Sequence, residues 1–322
     1  MRSLVPLAFL LLASDALAEE LALDPDTLVG PAATHQNLTF YPLIARSDGP
    51  PADYLVLDEG LAGGQVRVVE KGGGAEVNRL SLENRSQKPL FVMSGEVVIG
   101  GKQDRIIGKD QIISAAETVD VPVFCVEHGR WTESGDGRRF RAAGSMADTK
   151  VRKEAAYKDN QGKVWEKVAE KNAKRGIANQ TGTYRQVATG GEVGKAVEPY
   201  AKALGPALEG ARTVGMVVAL NGKVVGVEQF ASPALFAKLR GKLARSYYVD
   251  AVDQPVEKAP PAASADDIRG FVKKADAGEA SVVMAHRSTK TTRKQAKGVV
   301  GSEVTEDKAP AKPVYKSVQT DE

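Results

Sequence analysis

The chain has 322 residues, 42% of them hydrophobic and 26% charged, with a net charge of +3. This is the make-up of an ordinary globular protein of one large or two moderate domains, since domains run to about 100–200 residues. So weak a charge excess gives no general affinity for polyanions, and a single cysteine, Cys125, excludes any intramolecular disulfide.

The first residues place Arg2, an apolar run from Leu4 to Leu12, and the small residues Ala16 and Ala18 ahead of Glu19-Glu20. These are the parts of a cleavable secretory signal peptide, and the apolar run is well short of the roughly 20 residues that span a bilayer. Residues 1–18 are therefore expected to direct export to the periplasm or the extracellular space, with 19–34 following as an N-terminal arm. No later stretch reaches spanning length, so no transmembrane segment is expected. Losing residues 1–18 removes one cation, Arg2, and one anion, Asp15, so the charge is unchanged.

From Asn37 to Trp131, short β-rich segments alternate with turn signals. Strands are predicted at Leu38–Ala45, Tyr54–Leu57, Gln65–Glu70, Val77–Asn84, Leu90–Ile99, Ile106–Ile107, Gln111–Ser114 and Val121–Glu127. Their number and even spacing suggest a sandwich or barrel rather than βαβ units. Residues Thr132–Ala143, rich in Gly, Arg and Ser, read as an exposed loop. Asp148–Arg175 reads as helical, its surface solvated and laced with Lys and Glu.

A second helix is predicted over Gly194–Leu204. Asn221-Gly222 then joins strands Val214–Leu220 and Lys223–Phe230, because a type I′ turn needs positive φ at both central residues. Ser232-Pro233 supplies an N-cap and a first-turn proline for a helix through about Tyr248. A Pro- and charge-rich loop, Asp253–Ala265, precedes a short helix, Asp266–Ala275, and a strand, Ala280–His286. The basic run of His286, Arg287, Lys290, Arg293, Lys294 and Lys297 lacks interleaved aromatics, so it reads as a solvated face and not as a nucleic-acid site. Residues 301–322, poor in large apolar side chains, are expected to be a disordered tail. The fold class is thus α+β: a β-rich module at 35–131, helices and a hairpin at 132–251, and a loop, short helix and strand at 252–290.

The blocks Ser94-Gly95-Glu96 through Gly101-Lys102-Gln103-Asp104-Arg105, and Val121 through Cys125-Val126-Glu127-His128-Gly129-Arg130-Trp131, carry a resemblance. So do Gln161-Gly162-Lys163-Val164-Trp165 and Val214 to Ala251, with its Phe230-Ala231-Ser232-Pro233 and Ser246-Tyr247-Tyr248. Over roughly 35–290 the chain resembles the ARG and Rhodanese-Phosphatase-superfamily-associated Protein domain (ARPP) family. The association recorded in that name, with ADP-ribosylglycohydrolases and rhodanese-phosphatases, implies nucleotide-derived or phosphorylated ligands. Export sets this copy apart from a cytoplasmic role in nucleotide metabolism.

The candidate site gathers Glu96, Gln103, Asp104, Arg105, Glu127 and Arg130, a polar set that falls at strand ends beside glycines, where side chains can converge on a pocket mouth. Arg105 and Arg130 could clamp a phosphate or carboxylate, and Glu96 or Glu127 could bind hydroxyls or act as a general base. The competing reading is an internal ion-pair network that holds two strands in register. Strand periodicity puts Cys125 beside Glu127, and a neighbouring carboxylate raises a thiol's pKa, so Cys125 reads as a buried structural residue before it reads as a nucleophile. His128 could donate a proton, although an exposed strand-end histidine is the plainer reading.

His35, His128 and His286 show no HxH, HExxH or CxxC spacing, so no metal is expected, and without GxxxxGK[ST] or GxGxxG no phosphate loop and no cofactor. The leading functional expectation is a non-catalytic module binding a small anionic ligand. The alternatives are a hydrolase of phosphorylated or ADP-ribose-like substrates with a glutamate base, and an interaction scaffold docking an envelope protein through its tail and basic strand.

Overall fold

A computed structural model describes residues 21–48, 53–71, 77–133, 135, 137–287, 289–307 and 313–321. The expected signal peptide, 1–18, lies outside the described residues.

The segment read as an N-terminal arm supplies three short strands, β1 (Ala22–Asp24), β2 (Thr27–Val29) and β3 (Ala33–His35), ahead of β4 (Leu38–Ala45). Then come β5 (Leu55–Val56), α1 (Leu57–Ala62), β6 (Val66–Glu70), β7 (Arg79–Asn84), β8 (Leu90–Val92) and β9 (Glu96–Gly100). The single strand predicted at Leu90–Ile99 is thus two, broken where Gly95 takes φ +89°. That turn closes on the Glu96 carboxylate, which accepts a hydrogen bond from the Met93 amide at 2.7 Å. β10 (Arg105–Ile107), β11 (Gln111–Ile113), β12 (Glu117–Cys125) and β13 (Phe140–Met146) follow. β13 begins within the stretch expected to be loop and runs three residues past its end.

The predicted helix at 148–175 is also two, α2 (Thr149–Ala156) and α3 (Gln161–Lys174), each N-capped by a side chain, Asp148 and Asn160 respectively. α4 (Arg185–Thr189) and α5 (Gly191–Leu204) lead into the hairpin of β14 (Thr213–Leu220) and β15 (Lys223–Phe230). Asn221 and Gly222 sit at φ +52° and +76°, as a type I′ turn demands. α6 (Pro233–Asp253), capped by Ser232, runs one turn beyond the predicted end, and α7 (Ala265–Asp276) opens with a Ser264–Asp267 capping box. The chain finishes with β16 (Glu279–His286), β17 (Thr289–Ala296), β18 (Val299–Glu306) and β19 (Tyr315–Thr320).

Within the tail expected to be disordered from Gly301, residues 301–306 and 315–320 are strand. The large ten-stranded sheet runs β1-β2-β4-β14-β15-β19-β18-β17-β16, with β3 also on β4. Its first strands come from the start of the chain, and β18 and β19 take interior slots. Small polar residues replace large apolar ones there because they have buried partners: Ser302 donates to Asp110 at 3.0 Å, Thr291 to the Asp110 carbonyl at 2.7 Å, and Tyr157 to Ser317 at 3.1 Å. The fold remains α+β, with 30% helix and 38% strand, but β4 belongs to this sheet rather than to a self-contained N-terminal module.

The remaining strands form a three-stranded sheet, β11-β8-β5, and a six-stranded sheet, β13-β9-β10-β12-β7-β6, that curls into a half-barrel. Its two edges touch at a bridge between Val69 and Arg139, and the Glu70 amide donates to the Arg138 carbonyl at 3.0 Å. Leu80, Leu82, Val98, Ile107, Val121, Val123 and Phe140 fill its interior. A second core lies between the large sheet and the helices, and a third beneath α7.

Charge on the 148–175 stretch, expected to be solvated, partly enters the core. Arg152, fully buried, donates to Glu228 at 2.7 Å and to the Tyr315 hydroxyl at 2.6 Å, tying α2 to β15 and β19. Lys171 sits among Asp148, Asp250 and Asp253 at 3.0, 2.9 and 2.7 Å, which fastens α3 to α6. Paired carboxylates are what allow a lysine to be buried charged, and they hold its pKa above the usual lysine range against the opposing pull of burial.

Candidate functional site

The candidate residues separate into three environments. Glu96, at the start of β9, is buried and points to α6, where Lys242 pairs with it and, at 2.9 Å, with Asp58. Burial pushes its carboxyl above the usual range, against the attraction of Lys242. It is not part of a shared hollow with the other charges.

The second environment is a closed network around Asp104, which is wholly buried. Its carboxylate accepts from Arg185 at 2.9 and 2.8 Å, from Arg130 at 3.3 Å, from the Thr183 hydroxyl at 3.1 Å and from the Gly100 amide at 3.2 Å. Arg130 also donates to Glu127 at 2.9 Å, and to the carbonyls of Gly101 and Thr132 at 2.7 and 3.0 Å. Glu127 accepts from the Asp104 amide at 3.1 Å, and Gln103 donates to the Glu127 carbonyl at 2.6 Å. Burial raises the Glu127 pKa, yet the hydrogen bonds from Arg130 and Thr181 outweigh it and leave the carboxyl below its usual range. Glu127, Arg130 and Asp104 thus pair off with one another, the strand-locking arrangement, while Gln103 keeps a buried amide oxygen without a partner among the described residues.

The third environment is inside the half-barrel. Arg105 stands in β10 opposite Cys125 of β12 and Val98 of β9, and only 2% of its surface is exposed. Its pairing is poor for so buried a cation. One terminal nitrogen reaches the Asp104 carbonyl at 3.4 Å, another lies 3.9 Å from Glu70, and Nε has no partner. Burial pulls the guanidinium below its ordinary pKa, with Cys125 and then Glu70 acting in the other direction. A guanidinium nonetheless stays protonated at physiological pH.

Arg105 lines a cavity of about 350 Å³ at the barrel mouth, together with Glu70, Arg79, Lys102, Trp131 and Arg138. Pockets of about 300–1,000 Å³ suit small molecules, and barrel mouths are favoured places for them. Gly101 shapes this mouth. At φ +51°, with Glu70 and Phe140 pressed against it, a Cβ would come within 2.6 Å of the Glu70 carboxylate oxygen. Trp131, 56% exposed, presents an aromatic face at the rim. Sequence reasoning missed Arg79, Arg138 and Trp131 as site residues.

Cys125 is buried, and burial raises its thiol pKa against the pull of Arg105. Gln161, at the start of α3, grips its backbone, accepting from the Cys125 amide at 2.8 Å and donating to its carbonyl at 2.9 Å. His128 is exposed and packs edge-on to Trp165, ring centroids 4.5 Å apart. Gln161 and Trp165 thus bring the third resemblance block onto the Cys125–Trp131 block.

A family model for the ARG and Rhodanese-Phosphatase-superfamily-associated Protein domain, ARPP-1, matches residues 26–317. The chain belongs to this family. The ARPP-1 match extends past the 35–290 stretch of the sequence resemblance at both ends, taking in β2 and reaching into β19, the strands that the large sheet needs. Among the curated proteins and the solved structures compared, none matches the chain. In this ARPP-1 domain the sequence blocks of the resemblance supply Asp104, Glu127 and Arg130 to the closed network and Lys102, Arg105 and Trp131 to the open cavity.

Proposed function

We propose that this ARPP-1 domain protein is an exported, non-catalytic module that binds a small anionic ligand, nucleotide- or sugar-phosphate-derived, in the Arg105 cavity. The observation that carries it is a buried guanidinium, short of partners, in a cavity whose other cations, Lys71, Arg79, Lys102 and Arg138, outnumber its acids, Glu70 and Glu133. A phosphate or carboxylate there would meet the planar donors that Arg105 leaves unused. The Trp131 ring offers a face on which a base or sugar can stack.

The hydrolase alternative gains less from the geometry. A general base works best with a pKa near the operating pH. Glu127 is held below its usual range by Arg130, and Glu96 is closed off against Lys242. The scaffold alternative loses its loose tail, since β18 and β19 are interior strands.

Calorimetric titration with ADP-ribose and with ribose 5-phosphate tests the site. Arg105→Met and Arg138→Ala are each expected to weaken binding about tenfold or more, the worth of a charge-assisted hydrogen bond. Binding unchanged in both variants would sink the site. Export is tested by the mass of the protein recovered from an envelope fraction: a chain beginning at Glu19 supports it, and one retaining Met1 overturns it.

A further inference from the structure

A larger cavity lies elsewhere, at about 670 Å³, bounded by α2, the β14–β15 turn, α6, α7 and the ends of β18 and β19. Its volume is far more than one or two waters fill, at about 30 Å³ each. Gln319 lines it. This side chain is 2% exposed, and neither its amide nitrogen nor its amide oxygen has a hydrogen-bond partner. Its cross-strand neighbour on β15 is Gly226, which brings no side chain to cover it.

The charge in this cavity is unbalanced. Its two acids are engaged, Asp250 by Thr149 at 2.6 Å and Lys171 at 2.9 Å, and Asp267 by Ser264 at 2.6 Å. Lys150, Lys223 and Lys274 also line it and make no ion pair among the described residues. Phe271 and Val224 supply apolar wall.

We propose that this cavity is a second binding site, taking a small anion that also carries an amide-type edge, a donor and an acceptor side by side. A carboxamide presents one donor group and one acceptor, so its complement is another amide or the imide edge of a pyrimidine. The neighbouring lysines take the anionic group. The site shares no residue with the Arg105 cavity and stands independently of the function proposed there.

The test is calorimetric titration of the whole chain with N-acetylglutamate, a peptide-type source of that chemistry, and with uridine 5′-monophosphate, a nucleobase-type source. Inorganic phosphate serves as the control. At least one organic probe is expected to bind with unit stoichiometry, to lose about tenfold in affinity in Gln319→Leu, and to weaken in Lys150→Ala. Binding is expected to survive Arg105→Met, which separates this site from the other. If Gln319→Leu fails to fold, the double change Lys150→Ala with Lys274→Ala, on exposed side chains of the cavity wall, decides in its place. The proposal is overturned if neither probe binds, if binding ignores these changes, if Arg105→Met abolishes it, or if phosphate alone binds as tightly.

Discussion

Asp104 and Arg105 are adjacent in sequence and opposite in circumstance. Asp104 is surrounded by two arginines, a hydroxyl and a backbone amide, and leaves no need unmet. Arg105 points the other way, into the half-barrel, with one long hydrogen bond, a distant carboxylate and an orphaned nitrogen. Burial alone therefore does not separate structure from function in this protein. Both groups are buried, and the difference is whether the fold has supplied their partners.

Stability should fall most at the saturated side. Asp104→Ala takes one of two carboxylates from Arg130 and strips Arg185 of its ion-pair partner, so chemical denaturation should show a loss of about 3–5 kcal/mol. A loss below about 1 kcal/mol would mean that the network is ornamental. The acid limb gives a smaller effect. Because the Glu127 pKa is lowered in the folded state, its contribution is present above the ordinary carboxylate range and vanishes as pH falls through the folded value. Glu127→Gln should cost about 1 kcal/mol at neutral pH and flatten the decline below about pH 4, read from urea midpoints across pH.

The unsatisfied side predicts the reverse. Arg105→Met should change stability by no more than about 1 kcal/mol in either direction, since it removes a poorly compensated buried cation. A loss as large as that of Asp104→Ala would erase the contrast between the two neighbours. The smallest effect concerns Cys125, whose raised pKa keeps it protonated. Its reaction with a disulfide reagent at pH 8 should be slow in the native protein and slower still in Arg105→Met, which removes the cation that favours the thiolate.

Local signals recovered much of this architecture. Leu38–Ala45, the Asn221-Gly222 hairpin and the Ser232-Pro233 helix start all stand where turn and cap chemistry placed them. What failed was inference from hydrophobicity. β17 and β18 lie in sequence read as solvated or disordered, because Thr291 and Ser302 bury hydroxyls against Asp110, 181 and 192 residues away. Lys297-Gly298 between them, with Gly298 at φ +76°, was the turn signal to notice. The site shows the same limit. Arg105 could be singled out from its block, but Arg79 and Arg138 join it only when the half-barrel curls, and the Lys242 partner of Glu96 lies 146 residues downstream.

The interior position of β19 has a consequence for biogenesis. Residues 315–320 bond to β15 on one side and β18 on the other, so until they have been synthesised those two strands have no common neighbour and each presents a bare edge. Completion of the large sheet must follow translation of its last strand. Nascent chains are left with open edges until then, a state suited to capture by a chaperone.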